Sequence, residues 1–567
     1  MTANRIVVDP ITRIEGHLRI EVVVDENKVI KEAFAGSTLW RGIELILKGR
    51  DPRDAGLLTQ RLCGVCTYSH YRVSVEAVEN ALGITPPLNA VLTRTLMSQA
   101  QFLHDHIVHF YHLHGLDWCD ITQALSADPR KAADLAFKYT DFPIAAGASE
   151  LKAVQTKLKG FVDEGHLGPF ANAYWGHSTY HLSPEQNLIV LSHYLKALEV
   201  QRNAARMLAL FGAKQPHPQS LVVGGVTCVM DLLNPNRLGE YLTKFDEVAD
   251  FMNRAYYADV KMAAEAFIRE ESVLKGCGVK NFISARDFQI SRNQWLFDQG
   301  IILDGDLSRV HQVDEEKITE EATHSWYKEN EPLHPYVGKT NPQYTGFKEG
   351  DTMQGRAQVM DEKGKYSWIK APRYDGKVME VGPLAQILVG YASGNERVKS
   401  IVDNFLKETG VPVPALFSTL GRTAARMLQT KLIVDHGKST MLNLIENLKV
   451  DQETCAPYEI DNNREYRGRS FNDVPRGMLS HWVRIKNGVI ENYQCVVPTT
   501  WNASPMDAAG QHGAYEAALV GTSLADPAKP LEIIRTIHSF DPCLACAVHV
   551  LDYQGQELAQ YQVNPGQ

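Results

Sequence analysis

Apolar residues recur along this chain at two periods, and the switch between them outlines the fold. Near the start the period is two. Leu18-Arg-Ile-Glu-Val-Val-Val and Val29-Ile-Lys-Glu-Ala flank the polar turn Asp25–Lys28, which predicts a hairpin. From residue 88 the period lengthens to that of a helix. Val91, Leu92, Leu96, Leu103, Ile107, Phe110 and Tyr111 form one stripe, entered after Pro86-Pro87 and stopped at Gly115. Ser183-Pro184 is a helix start, an N-cap followed by proline at the first helical position, and that helix should reach Phe211 before Gly212. Further helical patterns cover about 237–270, 395–408 and 415–435, the last bounded by Gly437. Helices of this length bury their stripes only against one another, so a central bundle of long helices is expected. Between about 275 and 385 no helical period persists, and a small or irregular β region should pack on the bundle. Asn487-Gly488, between His481–Lys486 and Val489–Val497, carries a type I′ hairpin signal. The expected fold class is α+β, mainly α, with small β regions at the periphery.

Composition narrows the possibilities. A length of 567 residues would suit three or four domains. No repeat or low-complexity linker divides the chain, however, so one interlocked body is expected. Lys plus Arg is 58 against 67 for Asp plus Glu, a net charge of −9. That gives no bulk attraction for nucleic acid, which is not expected as a partner. No apolar run is long enough to span a membrane. The N-terminus shows no basic stretch followed by an apolar one, so synthesis in the cytoplasm without an export signal of its own is expected. Nine cysteines are too few and too scattered for a disulfide scaffold.

Their spacing is more telling than their number. Cys63-Gly-Val-Cys66 and Cys543-Leu-Ala-Cys546 stand at opposite ends of the chain. Two sulfurs three residues apart converge on one point, as metal chelation or a redox dithiol requires. Four thiolates make a soft site for zinc, an iron–sulfur cluster or a thiophilic metal such as nickel. Zinc ribbons separate such pairs by about 15–20 residues, far less than here. Neither pair has the βαβ surroundings of a thioredoxin-like dithiol.

The flanks carry a resemblance. Arg61-Leu-Cys63-Gly-Val-Cys66-Thr-Tyr-Ser-His70 and Asp541-Pro-Cys543-Leu-Ala-Cys546-Ala-Val-His549 resemble the two cysteine signatures of the nickel–iron hydrogenase large subunit. Asp9-Pro-Ile-Thr-Arg-Ile-Glu15-Gly-His17, Trp40-Arg-Gly-Ile-Glu44, His104-Asp105-His106, Pro475-Arg476-Gly477 and Pro498-Thr499-Thr500-Trp501-Asn502 follow in the family's order. The likeness is greatest to membrane-associated uptake hydrogenases.

What the resemblance implies is specific. Cys63 and Cys543 match the terminal nickel thiolates. Cys66 and Cys546 match those bridging nickel to an iron that bears carbon monoxide and cyanide. Arg476 matches the arginine over the open metal position, and Asp105 and Asp541 match the carboxylates that orient it. Glu15 matches a proton relay beside a terminal thiolate. Glu44, His549 and the backbone carbonyl of Cys495 match magnesium ligands. Pro475, Thr499 and Thr500 match the pocket around the iron's diatomic ligands. The implied protein is one domain over 1–549, with its ends meeting at a buried metal site. Residues 550–567 would be an extension cut off by a maturation protease. The implied partners are an iron–sulfur small subunit and, through it, a cytochrome or quinone-linked acceptor at the membrane. Export with a signal-bearing small subunit to the periplasmic face of the inner membrane would follow.

Two rival readings stand beside this one: a structural protein held by zinc on the four cysteines, and a non-catalytic scaffold of the complex I type, whose members share the fold but lack the four-cysteine set. Other features carry less. The five histidines of 104–114 point around several helix faces and predict no second metal. Gly437-Lys-Ser-Thr lacks the earlier glycine of a phosphate loop. Cys119, Cys228, Cys277 and Cys455 lack chelating spacing and read as buried packing residues.

Overall fold

The computed structural model describes residues 4–171 and 173–547, apart from the side chains of 546 and 547. The Cys546 side chain, His549 and the 550–567 extension therefore lie outside the described residues. The strands that frame the site are β1 (Arg5–Val8), β2 (Leu18–Val24), β3 (Ile30–Ser37), β4 (Tyr466–Val474), β5 (Gly477–Lys486) and β6 (Val489–Val496). The helices are α1 (Thr67–Leu82), α2 (Leu88–Val108), α3 (Pro184–Gly212), α4 (Pro235–Phe251), α5 (Pro383–Ala392), α6 (Thr419–Leu448), α7 (Leu531–Ser539) and α8 (Leu544–Ala547).

Long helices build the main core. α2 packs on α3 and α6, and α3 packs on α4. Their apolar stripes, among them Leu96, Leu103, Ile107, Leu188, Met207, Phe245, Leu428 and Met441, share one buried cluster. α3 starts where Ser183 and Gln186 cap each other's backbone. α2 passes without a break into a wider π-turn, His109–His114, before Gly115.

The sheets are small and antiparallel. β1–β2–β3 and β4–β5–β6 are each three-stranded, and several two-stranded ribbons occupy 282–374. Each three-stranded sheet contains the hairpin expected from its turn. Asn487 and Gly488 both have positive φ, 53° and 72°, as a type I′ turn requires.

Two expectations need correction. The helix placed over 415–435 runs instead from Thr419 to Leu448, capped by Ser418, whose side chain accepts from the Gly421 N–H. Gly437 does not stop it, because the helix passes the Phe245 ring there at a distance that leaves no room for a side chain. A Cβ on Gly437 would lie 2.6 Å from that ring. Nor are all four scattered cysteines buried: Cys119 and Cys228 are, Cys277 is partly covered, and Cys455 is exposed. Cys455 lies on a surface segment joined to Gly225 by a β-bridge.

Candidate metal centre

The first cysteine pair sits on a bend. Cys63 ends the short 3₁₀ turn Gln60–Leu62 and Cys66 caps the start of α1. Between them the chain folds back so that the N–H groups of Val65 and Cys66 donate to Cys63 Sγ at 3.1 and 3.3 Å. Donors aimed at a sulfur near a helix N-terminus support its anionic form. Ile43, Leu62, Val223, Leu479 and Val497 surround the thiols with apolar surface.

The second pair arrives from the other end of the chain, 480 residues later, and lies against the N-terminal segment. Glu15 pairs with Cys543 in a parallel bridge, and Leu544 N–H donates to the Glu15 carbonyl at 2.8 Å. Gly16 makes this approach possible. Its φ is +84°, and a Cβ there would meet Ala545 N at 2.7 Å. Cys543 Sγ then stands 3.4 Å from Cys63 Sγ and 3.8 Å from Cys66 Sγ. Metal–sulfur bonds of about 2.3 Å in a tetrahedral site give sulfur–sulfur edges of about 3.8 Å, so the spacing fits a chelated metal.

Glu15 and Arg476 face these sulfurs. Glu15 Oε2 is 3.3 Å from Cys543 Sγ and accepts from Ala545 N–H at 2.9 Å. Burial, helped by the neighbouring Cys63 charge, raises its pKa to about 7. Arg476 occupies, with Pro475, the two-residue turn that joins β4 to β5. The tip points inward, and Arg476 is 5% exposed. Its Nη1 donates to Asp105 Oδ2 at 3.0 Å, and Nη2 pairs with Asp541 Oδ1 at 3.2 Å. Burial opposes its charge, but Asp541, Cys543 and Asp105 hold it cationic. A small cavity beside the sulfurs is bounded by Cys66, Cys543, Arg476, His70, Pro498 and Thr499. The Thr499 hydroxyl oxygen accepts the Cys543 N–H at 3.2 Å, and Thr500 is buried beside it. The Pro475 carbonyl faces away, accepting from Arg426 Nη1 at 3.1 Å.

Glu44 lies one step further out, on the short helix Ile43–Ile46. It accepts from the Cys495 N–H at 3.0 Å, from the Thr340 hydroxyl, and from Lys370 Nζ at 3.4 Å. Burial works against the Lys370 charge, but Glu44 and Glu320 outweigh it. Carboxylate oxygen and a nearby carbonyl suit a hard cation.

Sequence reasoning missed several residues here. Arg426 ties the Pro475 and Ser539 carbonyls together and lies 3.6 Å from Asp541. His70, held neutral by burial with a pKa of about 4, passes a hydrogen-bond chain to His481 and Tyr493. Of the histidines in 104–114, His114 does converge with Asp117 and His538. Its nitrogens are already engaged by Asp117 and by the indole N–H of Trp118.

Thiolates gathered from both ends of a chain, in an apolar shell beside a fixed cation and a carboxyl poised near neutrality, belong to a redox metalloenzyme rather than a metal-stapled scaffold. Comparison with known proteins gives the family. The model for nickel-dependent hydrogenases matches residues 41–549, and one described as HoxL-like matches 5–35. The chain belongs to the nickel-dependent hydrogenase family, as a large subunit.

The quinone-reactive Ni/Fe-hydrogenase large chain of Wolinella succinogenes is 66% identical, over 99% of this chain and 98% of that one. An uptake hydrogenase large subunit from Rhizobium leguminosarum bv. viciae is 47% identical, again over 99% and 98%. The solved Ni-Fe-Se hydrogenase of D. vulgaris Hildenborough in the reduced state superposes with a TM-score of 0.76. It is 32% identical and covers 96% of this chain and 99% of its own. Both cysteine pairs lie within the matched span, and the zinc-protein and scaffold readings are set aside. Nickel and iron are the metals the family supports.

Proposed function

We propose that this chain is the catalytic subunit of an uptake hydrogenase, converting dihydrogen to two protons and two electrons through the thiolates of Cys63, Cys66, Cys543 and Cys546. The observation that carries the reading is the packing of the Cys63 and Cys66 sulfurs within 3.8 Å of Cys543 Sγ, with Arg476 and Glu15 against them. When bound, a nickel–iron centre supplies the polarisation without which no side chain could deprotonate dihydrogen at neutral pH. The residues do the rest. Arg476, fixed by Asp105 and Asp541, holds a permanent charge and two N–H groups over the cavity, orienting a polarised substrate. Glu15 exchanges a proton with the Cys543 sulfur and passes it outward, a task suited to a pKa near 7.

Cys66 and Cys546 would bridge to iron bearing carbon monoxide and cyanide, in the pocket of Pro475, Thr499 and Thr500. Glu44, the Cys495 carbonyl and His549 would hold magnesium. Electrons would leave through an iron–sulfur small subunit to a membrane cytochrome or quinone, a route supported by the name of the quinone-reactive relative. No helix among the described residues is long and apolar enough to cross a membrane. A membrane position would therefore come through partners, at the periplasmic face.

Two measurements test this reading. Infrared bands of metal-bound carbon monoxide and cyanide, with stoichiometric nickel, are expected of the purified complex, whereas zinc without such bands would sink it. Arg476→Lys should lower turnover by about 100-fold or more with nickel retained, since a point charge cannot replace the planar fork. Undiminished turnover would remove Arg476 from the reaction.

A further inference from the structure

Behind the turn that presents Arg476 runs a chain of buried polar groups with no part in the reaction as derived so far. Asp473 lies three residues before Arg476 on β4 and is 1% exposed. Its Oδ2 accepts from Ser284 Oγ at 2.6 Å and from Gln386 Nε2 at 2.9 Å. Gln386, on α5, accepts from the Gln429 amide nitrogen, and Gln429 Oε1, on α6, accepts from His106 Nε2 at 2.6 Å. Every member is buried. His106 adjoins Asp105, which accepts from Arg476. The path closes into a ring: Arg476, Asp105, His106, Gln429, Gln386, Asp473, and back along the hairpin to Arg476.

The ring has a direction. Amide nitrogens only donate and amide oxygens only accept, so both glutamines point their donors toward Asp473. His106 donates at the far end as a neutral ring, burial pushing its pKa well below the usual value. The turn itself is pressed onto the start of α5. A Cβ on Gly477, whose φ is +122°, would come within 2.4 Å of Gly382 N.

Among the described residues no cation pairs with Asp473. Ser284 and Gln386 are neutral, and Met478 is its partner on β5. The charge that acts on it is that of Asp287, itself bound by Arg72 at 2.9 Å, and α1 adds Glu76 on the same arginine at 2.8 Å. Burial chiefly, with repulsion from Asp287, raises the Asp473 pKa to about 8.

We propose that Asp473 is a positioning residue for Arg476, a buried acid that fastens the hairpin tip to α5 and, through Gln386, Gln429 and His106, to the helix bearing Asp105. This rests on the reading of Arg476 given above. A carboxyl whose pKa is raised in the fold supports the folded arrangement fully only below its ordinary value of 3.8, and that support is lost as pH rises through about 8. In the fold the carboxyl is still mostly protonated at pH 7, and ionising it as pH rises through about 8 puts an uncompensated charge behind the hairpin tip, which loosens the fastening.

The test follows kcat and KM for dihydrogen against pH in the metal-loaded complex. Asp473→Ala should lower kcat about 10- to 100-fold at pH 7 with KM for dihydrogen and nickel content little changed, as misplacement of a reacting group does. Asp473→Asn should rescue that loss and remove the alkaline decline near pH 8, because the amide keeps the contacts and cannot ionise. Infrared absorption of a protonated carboxyl should be present in the parent at pH 7, titrate away above pH 8, and be missing from Asp473→Asn. An unchanged alkaline limb in Asp473→Asn, or no such infrared band, would overturn the proposal even if Asp473→Ala failed to load metal. An active Arg476→Lys would overturn the underlying reading instead, which the infrared titration of Asp473 distinguishes.

Discussion

Glu15 shows how the fold suits a single side chain to the role proposed for it. At the edge of a strand it would be a solvated carboxylate with a pKa near 4. Here the approach of Cys543 covers it, and its pKa rises to about 7. Glu15→Gln keeps the shape but cannot release a proton. Hydrogen–deuterium exchange catalysed by the complex should fall by about 10²–10⁴, with nickel content unchanged, as gas-phase mass spectrometry would show. Retained exchange would place the proton exit elsewhere. The cysteine pairs are readable from spacing because the chemistry needs sulfurs three apart. Glu15, Arg476, Asp105 and Asp541 are readable only through their motifs. Asp473 carries no sequence signal, since an aspartate just before Val-Pro looks like any turn residue. Its burial is a product of what packs on it.

At the scale of elements, α6 explains where periodicity reading falls short. Arg422, Thr423, Arg426, Gln429 and Thr430 lie at helical spacing and read as a wet face, yet all are buried. They are partners for other buried polar groups: Glu380 for Arg422, His114 for Thr423, and the Pro475 and Ser539 carbonyls for Arg426. The length of α6 is hidden for another reason: glycine commonly ends a helix, and the close pass of Phe245 that calls for Gly437 is not visible in the sequence. Gly437→Leu separates the two readings. Helix propensity gains about 1 kcal/mol, but overpacking against the buried Phe245 costs about 1–3 kcal/mol. A lower thermal midpoint is expected, whereas a helix terminus would tolerate the change. The hairpins were legible because turn chemistry is local. The small ribbons of 282–374 could be foreseen only as a class, because strands that short depend on the bundle for their pairing.

For the whole molecule, length suggested several domains, whereas the candidate metal centre brings together residues as far apart as Glu15 and Cys543. The removal of 550–567 that the family resemblance implies is tested at this scale. Withholding nickel should leave intact mass at the full chain, and supplying it should shorten the mass to a terminus at His549. Cleavage without nickel would uncouple processing from metal loading.

The junction of Glu15 with Cys543 also sets a timetable. At about 5–20 residues per second, a ribosome needs roughly half a minute to a minute and a half to travel from Cys63 to Cys543. Through that interval the first thiol pair exists without the second, and the N-terminal segment lacks the chain it must lie beside. Contacts of this sequence separation are among the last to form. The centre is therefore a post-translational object: the nascent chain must be guarded against oxidation and stray metals until its far end has been made.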